Sequence, residues 1–403
     1  MVGDELSKQK TPFENHIIEL VKQRQFDKAE KLIFAAVDQS PNSFVRLNSR
    51  ITRLIMEGKP RDAAALVEQE SPRTLSAMRP GPVPGIVPGT PIQHLLIHNG
   101  HHLMQCADAA DIGSACGMPV VLADLLAPQA VNDLVPHALI ILTGHTIPTE
   151  FAALRALKNS ASDSSVVVWM FDNHHHYMSN VVTAAAADLC FPAHPMPADY
   201  LSFVAPGRIG PLVPLATVQW SRPELASLYR RFERESRSDA LSGDYTFYHM
   251  AHRRNALLAQ VMEHWPQARV SLNYEWSYHS QTPEERFLSW RRFKTSVCLP
   301  VAHDLSNRFF DALAAGQVPI VPGDILDLDR VIPPADQARL PVLRLKDYTV
   351  KALREAHKEA IAAFDRDGEE GAKRRHRYIL EHHMIAHRIS EILSHVRKHG
   401  CYG

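Results

Sequence analysis

The sequence of 403 residues predicts an α/β protein in which two doubly wound domains follow a small all-α head. Three observations lead to this fold class. From residue 92 onward, short apolar runs alternate with helical patterns, which is the order of elements in parallel α/β sheets. These runs are continuous in Val, Ile and Leu, as expected of strands covered on both faces. A proline-rich stretch separates them from a helical N-terminal region.

The head, residues 1–78, contains two similar helical stretches. "IIELVKQRQFDKAEKLI" from Ile17 and "ITRLIMEGKPRDAAALV" from Ile51 align at an offset of 34 residues, with small and large apolar positions in register. The offset is the period of tetratricopeptide-type helix pairs, and the segment resembles two degenerate copies that lack the aromatic signature positions. Because about three copies are usually needed to stand alone, we expect the head to pack on the next domain or on another subunit. It serves either as a helical cap or as a surface for a protein partner or self-association.

The region from 79 to 240 contains a linker and the first α/β domain. The linker "RPGPVPGIVPGTP", residues 79–91, is too rich in proline for a helix or a central strand. The domain, residues 92–240, has five predicted strands with helical patterns between several of them: 94–99, 119–124, 137–144, 165–172 and 188–193. This alternation predicts one parallel, doubly wound sheet.

The second α/β domain, residues 241–348, repeats the alternation. Its predicted strands are 244–250, 268–274, 296–301, 318–323 and 341–345. Between the third and fourth of them, "HDLSNRFFDALAAG" predicts a helix that Asp304 or Ser306 caps and that ends at Gly316. Its predicted buried stripe is Phe309, Leu313 and Ala314. The tail, residues 349–403, is predicted to be helical and is strongly charged.

Composition excludes several classes of protein. Lys plus Arg and Asp plus Glu both number 44, so no charge field favours nucleic acid or an anionic membrane. The five cysteines are odd in number and include no Cys-x-x-Cys, which suits a reducing compartment and argues against a disulfide framework or a structural zinc site. The N-terminus is polar and no apolar run approaches the roughly 20 residues of a bilayer span. We therefore expect a cytoplasmic protein with at most peripheral membrane contact.

Histidines follow four predicted strands of the first domain. Because carboxyl ends of parallel strands meet at one edge of the sheet, these residues should share a polar cleft: His98, His101, His102, His145, Asp172, His174, His175, His176 and His194. A metal site is not favoured, since consecutive side chains of an extended "HHH" point in alternating directions and no His-Glu-x-x-His frame exists. A carboxylate beside a neutral imidazole suits general acid–base chemistry, and Asp172 and His174 are the candidate catalytic residues.

The second domain carries features that bind anions. Arg253 and Arg254 lie in the first turn of a helix directly after a strand. Helix N-termini offer free N–H groups and a positive dipole end, and arginines add charged donors suited to phosphate. The same reasoning applies to Ser306, Asn307 and Arg308 at the start of the helix predicted by "HDLSNRFFDALAAG". These five residues are the candidate phosphate ligands.

The stretch "LPVAHDLSNRFFDALAAGQVPIVPGD" resembles the nucleotide-sugar motif of GT-B glycosyltransferases, in the form found in the exostosin-like group. The pattern Ser-x-Arg-Phe-x-(Glu/Asp)-Ala-Leu-x-Ala-Gly-x-x-Pro-(Ile/Val) matches Ser306, Arg308, Phe309, Asp311, Ala312, Leu313, Ala315, Gly316, Pro319 and Ile320. The resemblance is specific over about residues 243–325, only architectural over 92–220, and does not include the head. It implies a GT-B-like fold, two Rossmann-like domains facing a cleft, with C-terminal helices that cross back onto the first domain.

The resemblance also implies roles. Asp311 would bind the ribose of a nucleoside-diphosphate sugar, and Arg253, Ser306, Asn307 and Arg308 would bind the diphosphate. The acceptor, whether glycan, lipid-linked or protein, and the catalytic base would lie in the first domain. Many GT-B enzymes carry two glutamates with seven residues between them, whereas this chain has His303 and Asp311 at these positions. An inverting displacement without a bound metal is therefore the expected mechanism, with no cofactor besides the donor.

Three alternatives stay open at this level. A nucleotide-sugar 2-epimerase on the same two-domain fold would turn over its substrate without an acceptor, but calls for acidic residues where this cleft offers mainly histidine. A non-catalytic scaffold would bind nucleotide while the head recruits a partner. A metal-dependent hydrolase would use the histidine edge.

Overall fold

A computed structural model of the chain describes residues 11–70, 92–100, 104, 106–125, 137–143, 164–171, 176–205, 207–273 and 281–399. Within these residues, two sheets of five strands each form the centre of the molecule. The first contains β1 His94–His98, β2 Val120–Ala123, β3 Ala138–Thr143, β4 Ser165–Met170 and β5 Leu189–Pro192. The second contains β6 Ser242–Thr246, β7 Arg269–Asn273, β8 Thr295–Val297, β9 Val318–Pro322 and β10 Leu343–Leu345.

The two sheets share one topology. Their strand orders are β2-β1-β3-β4-β5 and β10-β9-β8-β6-β7, with every pairing parallel. Counted from its own first strand, each order is 2-1-3-4-5, so the direction of winding reverses between β1 and β3 and between β6 and β8. The predicted α/β class and all ten predicted strands are confirmed. Strands β6 and β8 end early, at Thr246 and Val297, and the residues beyond them form the loops of the second switch point.

Helices cover both sheets. In the described part of the chain they are α1 Pro12–Lys22, α2 Phe26–Asp38, α3 Ser43–Met56, α4 Pro60–Glu70, α5 Ala109–Cys116, α6 Tyr177–Ala186, α7 Pro195–Val204, α8 Arg222–Arg231, α9 His252–His264, α10 Pro283–Arg291, α11 Asn307–Ala314, α12 Leu328–Val331, α13 Pro334–Arg339, α14 Val350–His382 and α15 Ile385–His399. Across these residues, no helix combines the length and the apolar character needed to cross a bilayer.

The head is helical, but it divides between the two sheets. Helices α1 and α2 bury Ile17 and Phe26 in one cluster with Tyr245 and Leu272 of the second domain. Helices α3 and α4 belong to a different cluster, with the first sheet: Ile51, Ile55, Val67, Leu96, Ile140 and Val166. Packing on the α/β domains is therefore as expected, whereas a helical-repeat architecture is not confirmed. The predicted domain boundaries stay predictions.

A third cluster joins the two domains. It contains Phe191 of β5, Phe309 and Phe310 of α11, and Ile389 and Leu393 of α15. The long helix α14 is kinked at Gly368, where φ is 57°, and α15 returns to pack on α5 of the first domain. This return agrees with what the resemblance implies for the C-terminal helices.

Candidate functional site

The candidate site lies at the switch point of the second sheet. In open parallel sheets, ligands bind beyond the carboxyl ends of the two strands between which the winding reverses. Here those strands are β6, which leads into α9, and β8, which leads into α11. Two helix N-termini, each a source of unpaired N–H groups, therefore begin at the same edge of the sheet.

Two guanidinium groups rest on one tyrosine ring at this edge. The Cζ atoms of Arg254 and Arg308 lie 5.3 and 4.6 Å from the centroid of the Tyr245 ring. The buried Tyr245 hydroxyl donates to the carbonyl of Val297 at 2.6 Å and accepts from the Leu299 N–H at 2.8 Å. These bonds tie β6 to the chain leaving β8, so the ring is a fixed support for both cations. We call Tyr245, Arg254, Ser306, Asn307 and Arg308 the arginine cradle.

The charge in the cradle is only partly compensated. Arg254 is 7% exposed, and burial, followed by repulsion from Arg308, lowers its pKa to about 10. One guanidinium nitrogen donates to the Thr246 carbonyl at 3.0 Å, while Nε finds no hydrogen-bond partner in the described part of the chain. The field of the buried Asp304 favours the charged form, but among the described residues neither arginine is in an ion pair with a carboxylate. Adjacent cations without a paired counterion are suited to an anionic ligand.

The start of α11 is also unsatisfied. Ser306 has the extended backbone of an N-cap residue, but its side chain makes no capping hydrogen bond. Its Oγ atom and the Oδ1 atom of Asn307 are buried and have no hydrogen-bond partner in the described part of the chain. The expectation that Asp304 or Ser306 caps the helix is wrong for the side chains, because Asp304 accepts from the Ala302 N–H at 3.0 Å instead. The Phe309 N–H bonds to the Ser306 carbonyl at 3.0 Å, so among the described residues the N–H groups of Asn307 and Arg308 are left for another acceptor.

Arg253 lies apart from the cradle. Its guanidinium forms an ion pair with Asp324 at 2.8 Å and lies 4.1 Å from the Tyr348 ring centroid. His303 approaches the same Asp324 carboxylate, with its Nδ1 atom at 3.2 Å. The charge of Arg253 is therefore used within the protein, and a contact between Arg253 and a diphosphate stays a prediction.

Asp311 faces the junction of the two domains. It is 2% exposed, and its Oδ1 atom accepts a hydrogen bond from the Thr217 hydroxyl at 2.9 Å. Burial raises the pKa of Asp311 to about 7, against the opposing effects of the Thr217 bond and of Arg308 and Arg286. In this arrangement the carboxylate is enclosed, so binding of a ribose by Asp311 stays a prediction that requires the domains to move apart.

Most of the predicted histidine edge lies outside the described residues, including both candidate catalytic residues, Asp172 and His174, and His101, His102, His145 and His175. His98 is described, and its Nδ1 atom accepts from the Leu125 N–H at 3.2 Å, which ties β1 to the end of β2. His194 is buried against the second domain, where burial raises the pKa of Asp327 and His194 opposes that rise. The predicted catalytic pair therefore lies outside the described residues. The His98 ring stabilises the end of the first sheet through its bond with Leu125.

Sequence reasoning missed two residues around the cradle. Tyr245 carries both cations, and Glu30 of α2 contacts the first turn of α9. The sequence signal for Tyr245 is its position as the penultimate residue of β6, the strand that precedes the arginine-bearing helix α9. Glu30 offered no signal, because it reaches α9 from a distant part of the chain. Among the described residues, Asp27, Glu30 and His252 also have donor atoms within 4.8 Å of one another, the spacing of metal ligands.

Comparison with known proteins assigns no family. No family model matches the chain, and no curated protein matches it. Among solved structures, the GtfA/B complex is 10% identical with a TM-score of 0.35, and the match covers 68% of this chain. This chain spans 59% of the length of that one. Tagatose-6-phosphate ketose/aldose isomerase from Escherichia coli is 11% identical with a TM-score of 0.22, over 83% of this chain and 93% of that one. Likenesses at this level assign neither a family nor an activity.

Proposed function

We propose that the chain is a GT-B glycosyltransferase that binds the diphosphate of a nucleoside-diphosphate sugar in the arginine cradle. The observation that carries this proposal is the pair Arg254 and Arg308, held on one tyrosine ring at the switch point without a paired carboxylate in the described chain. The uncapped start of α11 adds N–H donors beside them. The motif resemblance over Ser306 to Ile320 supports a sugar nucleotide rather than a simple phosphate.

The cradle suits the leaving group of glycosyl transfer. When the bond between the anomeric carbon and the diphosphate oxygen breaks, negative charge builds on that oxygen. Two guanidinium groups and a helix N-terminus, fixed before the reaction, would stabilise that charge without reorganising. Burial strengthens the effect, because the charges interact in a medium less polarisable than water.

The first domain supplies the other half of the proposed reaction. An acceptor hydroxyl of a glycan, a lipid-linked sugar or a protein attacks the anomeric carbon as the diphosphate leaves from the opposite face, which inverts the configuration. The hydroxyl proton passes to a base, for which Asp172 or His174 is proposed. The donor is the only small molecule that this reaction consumes besides the acceptor, and no metal is required by it.

The proposal is tested by melting the protein with a panel of nucleoside diphosphates, each with and without Mg²⁺, and with Zn²⁺ alone. A ligand that binds only the native state raises the melting temperature by linkage, so one nucleotide should produce a rise of several degrees. Arg308→Ala should abolish the rise. Arg269→Ala is the matched control, because Arg269 is an exposed arginine at the amino end of β7 in the same domain.

The alternatives give other results. No shift with any nucleoside diphosphate would overturn the proposal, and a shift with zinc alone would favour a hydrolase. A nucleotide shift combined with turnover of the sugar nucleotide in the absence of any acceptor would favour an epimerase. Binding without turnover under any condition would favour a scaffold.

A further inference from the structure

A carboxylate from the head is buried against the helix that carries Arg254. Glu30 of α2 is 5% exposed. Its Oε1 atom accepts from the Asn255 amide at 2.9 Å, and its Oε2 atom lies 2.5 Å from Nδ1 of His252. His252 and Asn255 are the first and fourth residues of α9, so they flank Arg254 in the same turn. Burying a carboxylate is costly, and here both of its oxygens are engaged at one helix start.

This contact fixes the loop as well as the helix. Asn255 also donates to the Tyr248 carbonyl at 2.8 Å, which joins the β6–α9 loop to the head through one amide group. The N-cap residue of α9 is Ala251, whose side chain offers no capping bond. A negative charge near a helix N-terminus is favourable, so Glu30 supplies from outside the stabilisation that this helix lacks within its own sequence.

Aromatic contacts extend the same interface. The Phe26 and Phe247 rings stack with centroids 5.9 Å apart, and Phe34 meets His249 edge to face at 5.3 Å. Helix α2 therefore contacts the β6–α9 loop at Phe247 and His249, in addition to the first turn of α9. The rotation of the first turn of α9 decides whether the Arg254 side chain reaches Tyr245. Glu30 holds that turn on both sides of Arg254, through His252 and Asn255.

We infer that Glu30 is a positioning residue of the diphosphate site: it holds the start of α9 so that Arg254 stays over Tyr245. This inference rests on the proposed function. It gives the head a role in ligand binding that neither a simple cap nor a partner-binding surface would have.

The test measures the affinity of the full chain for inorganic pyrophosphate by calorimetry, well below the lowest melting temperature of the variants. Glu30→Ala should raise the Kd about tenfold, within the range of couplings between contacting residues. Glu30→Gln keeps an acceptor for Asn255 and should fall between Glu30→Ala and wild type. Arg24→Ala is the control: Arg24 donates from the head to the Met262 carbonyl at 3.2 Å, near the far end of α9, and its loss should leave the Kd within about twofold.

A double-mutant cycle separates positioning from general stability. In an Arg254→Met background, Glu30→Ala should have no further effect on the Kd, since the residue that it positions is gone. An equal loss in both backgrounds, or an unchanged Kd in Glu30→Ala alone, would overturn the inference and leave the proposed function standing. Failure of the wild-type chain to bind either pyrophosphate or any nucleoside diphosphate would overturn both.

Discussion

The two ends of helix α11 are built in opposite ways. At its C-terminal end, Gly316 adopts φ of 79° and the chain turns back, with N–H bonds from Gly316 to Leu313 and from Gln317 to Ala312. This is the Schellman arrangement, in which a left-handed glycine satisfies the last carbonyl groups of a helix. At its N-terminal end, Ser306 makes no capping bond.

Buried cations complete the C-terminal end. Arg237 donates to the Ala315 carbonyl at 2.9 Å, and Arg375 donates to the Gly316 carbonyl at 3.1 Å. Burial lowers the pKa of His376 to about 4, so the neutral ring donates from Nδ1 to the Ala314 carbonyl at 2.7 Å. Every one of these groups has a carbonyl partner, and the cations also suit the negative end of the helix dipole.

The comparison shows that burial of a charge does not by itself identify a functional site. Arg237 and Arg254 are both buried, and burial lowers the pKa of each to about 10. They differ in what they bond: Arg237 donates to two carbonyl groups and to Glu369, whereas Arg254 donates to one carbonyl, and its Nε has no partner among the residues that the structure describes. Between these two arginines, the unused hydrogen-bonding capacity belongs to Arg254, but Arg375 at the closed end also leaves Nη1 and Nη2 without a partner among the described residues. The open end is therefore distinguished by two cations on one tyrosine ring beside a helix start without a side-chain cap.

The largest expected effect separates these two arginines. Arg237→Met should lower the free energy of unfolding by about 3 kcal/mol, because two carbonyl groups lose this buried donor and Glu369 keeps only its contact with Arg291 among the described residues. Arg254→Met should leave it within about 1 kcal/mol of wild type, since the substitution also removes a desolvated charge. Urea unfolding of both variants measures this difference, and equal losses would make Arg254 a structural residue like Arg237.

A second prediction concerns Asp311, midway along α11. Its folded pKa of about 7 lies above the ordinary value of 3.8, so between these values the folded chain holds a proton that the unfolded chain has released. Stability should therefore decrease as pH rises from about 4 to 7, by roughly 3 kcal/mol from this group. Asp311→Asn should flatten that dependence and raise stability at pH 8 relative to wild type. Urea midpoints at pH 5 and pH 8 measure it, and parallel curves would argue against the raised pKa.

The smallest expected effect tests the open end directly. An N-cap Ser→Ala change ordinarily costs about 1 kcal/mol, but Ser306→Ala should cost less than about 0.3 kcal/mol because no capping bond is lost. Ser221→Ala is the matched control, since the Ser221 hydroxyl accepts from the Glu224 N–H at 3.4 Å at the start of α8. Thermal unfolding compares the two, and a larger loss at Ser306 would show that this end is capped in solution.

Much of the frame could be predicted because it is encoded locally. Short strand-like runs between helical patterns predicted all ten strands. The predicted buried residues of α11, Phe309, Leu313 and Ala314, are buried, but the helix buries all of residues 309–314 rather than one stripe. Ser306 was placed correctly at the helix start. These features depend on residues close together in the chain, where hydrophobic periodicity is a reliable guide.

The parts that could not be predicted depend on distant contacts. Arg253 and Arg254 are adjacent in sequence but about 100° apart around the helix, and only the position of Tyr245 decides which one enters the cradle. The motif resemblance predicted Asp311 as an accessible ligand for ribose, but the Thr217 segment and the other elements around α11 enclose it. The apolar repeat of the head predicted burial, but not that its two halves would pack on different sheets.

The division of the head has a mechanical consequence. Helix α2 is fixed on the second domain and α3 on the first, and only residues 39–42 connect them. Four residues span at most about 14 Å when fully extended. This short tether bounds how far the two anchored helix ends can be drawn apart, whatever the remaining connections between the domains permit. Any opening that admits a donor must therefore proceed as a rotation pivoting near residues 39–42, rather than as a wide parting of the two sheets.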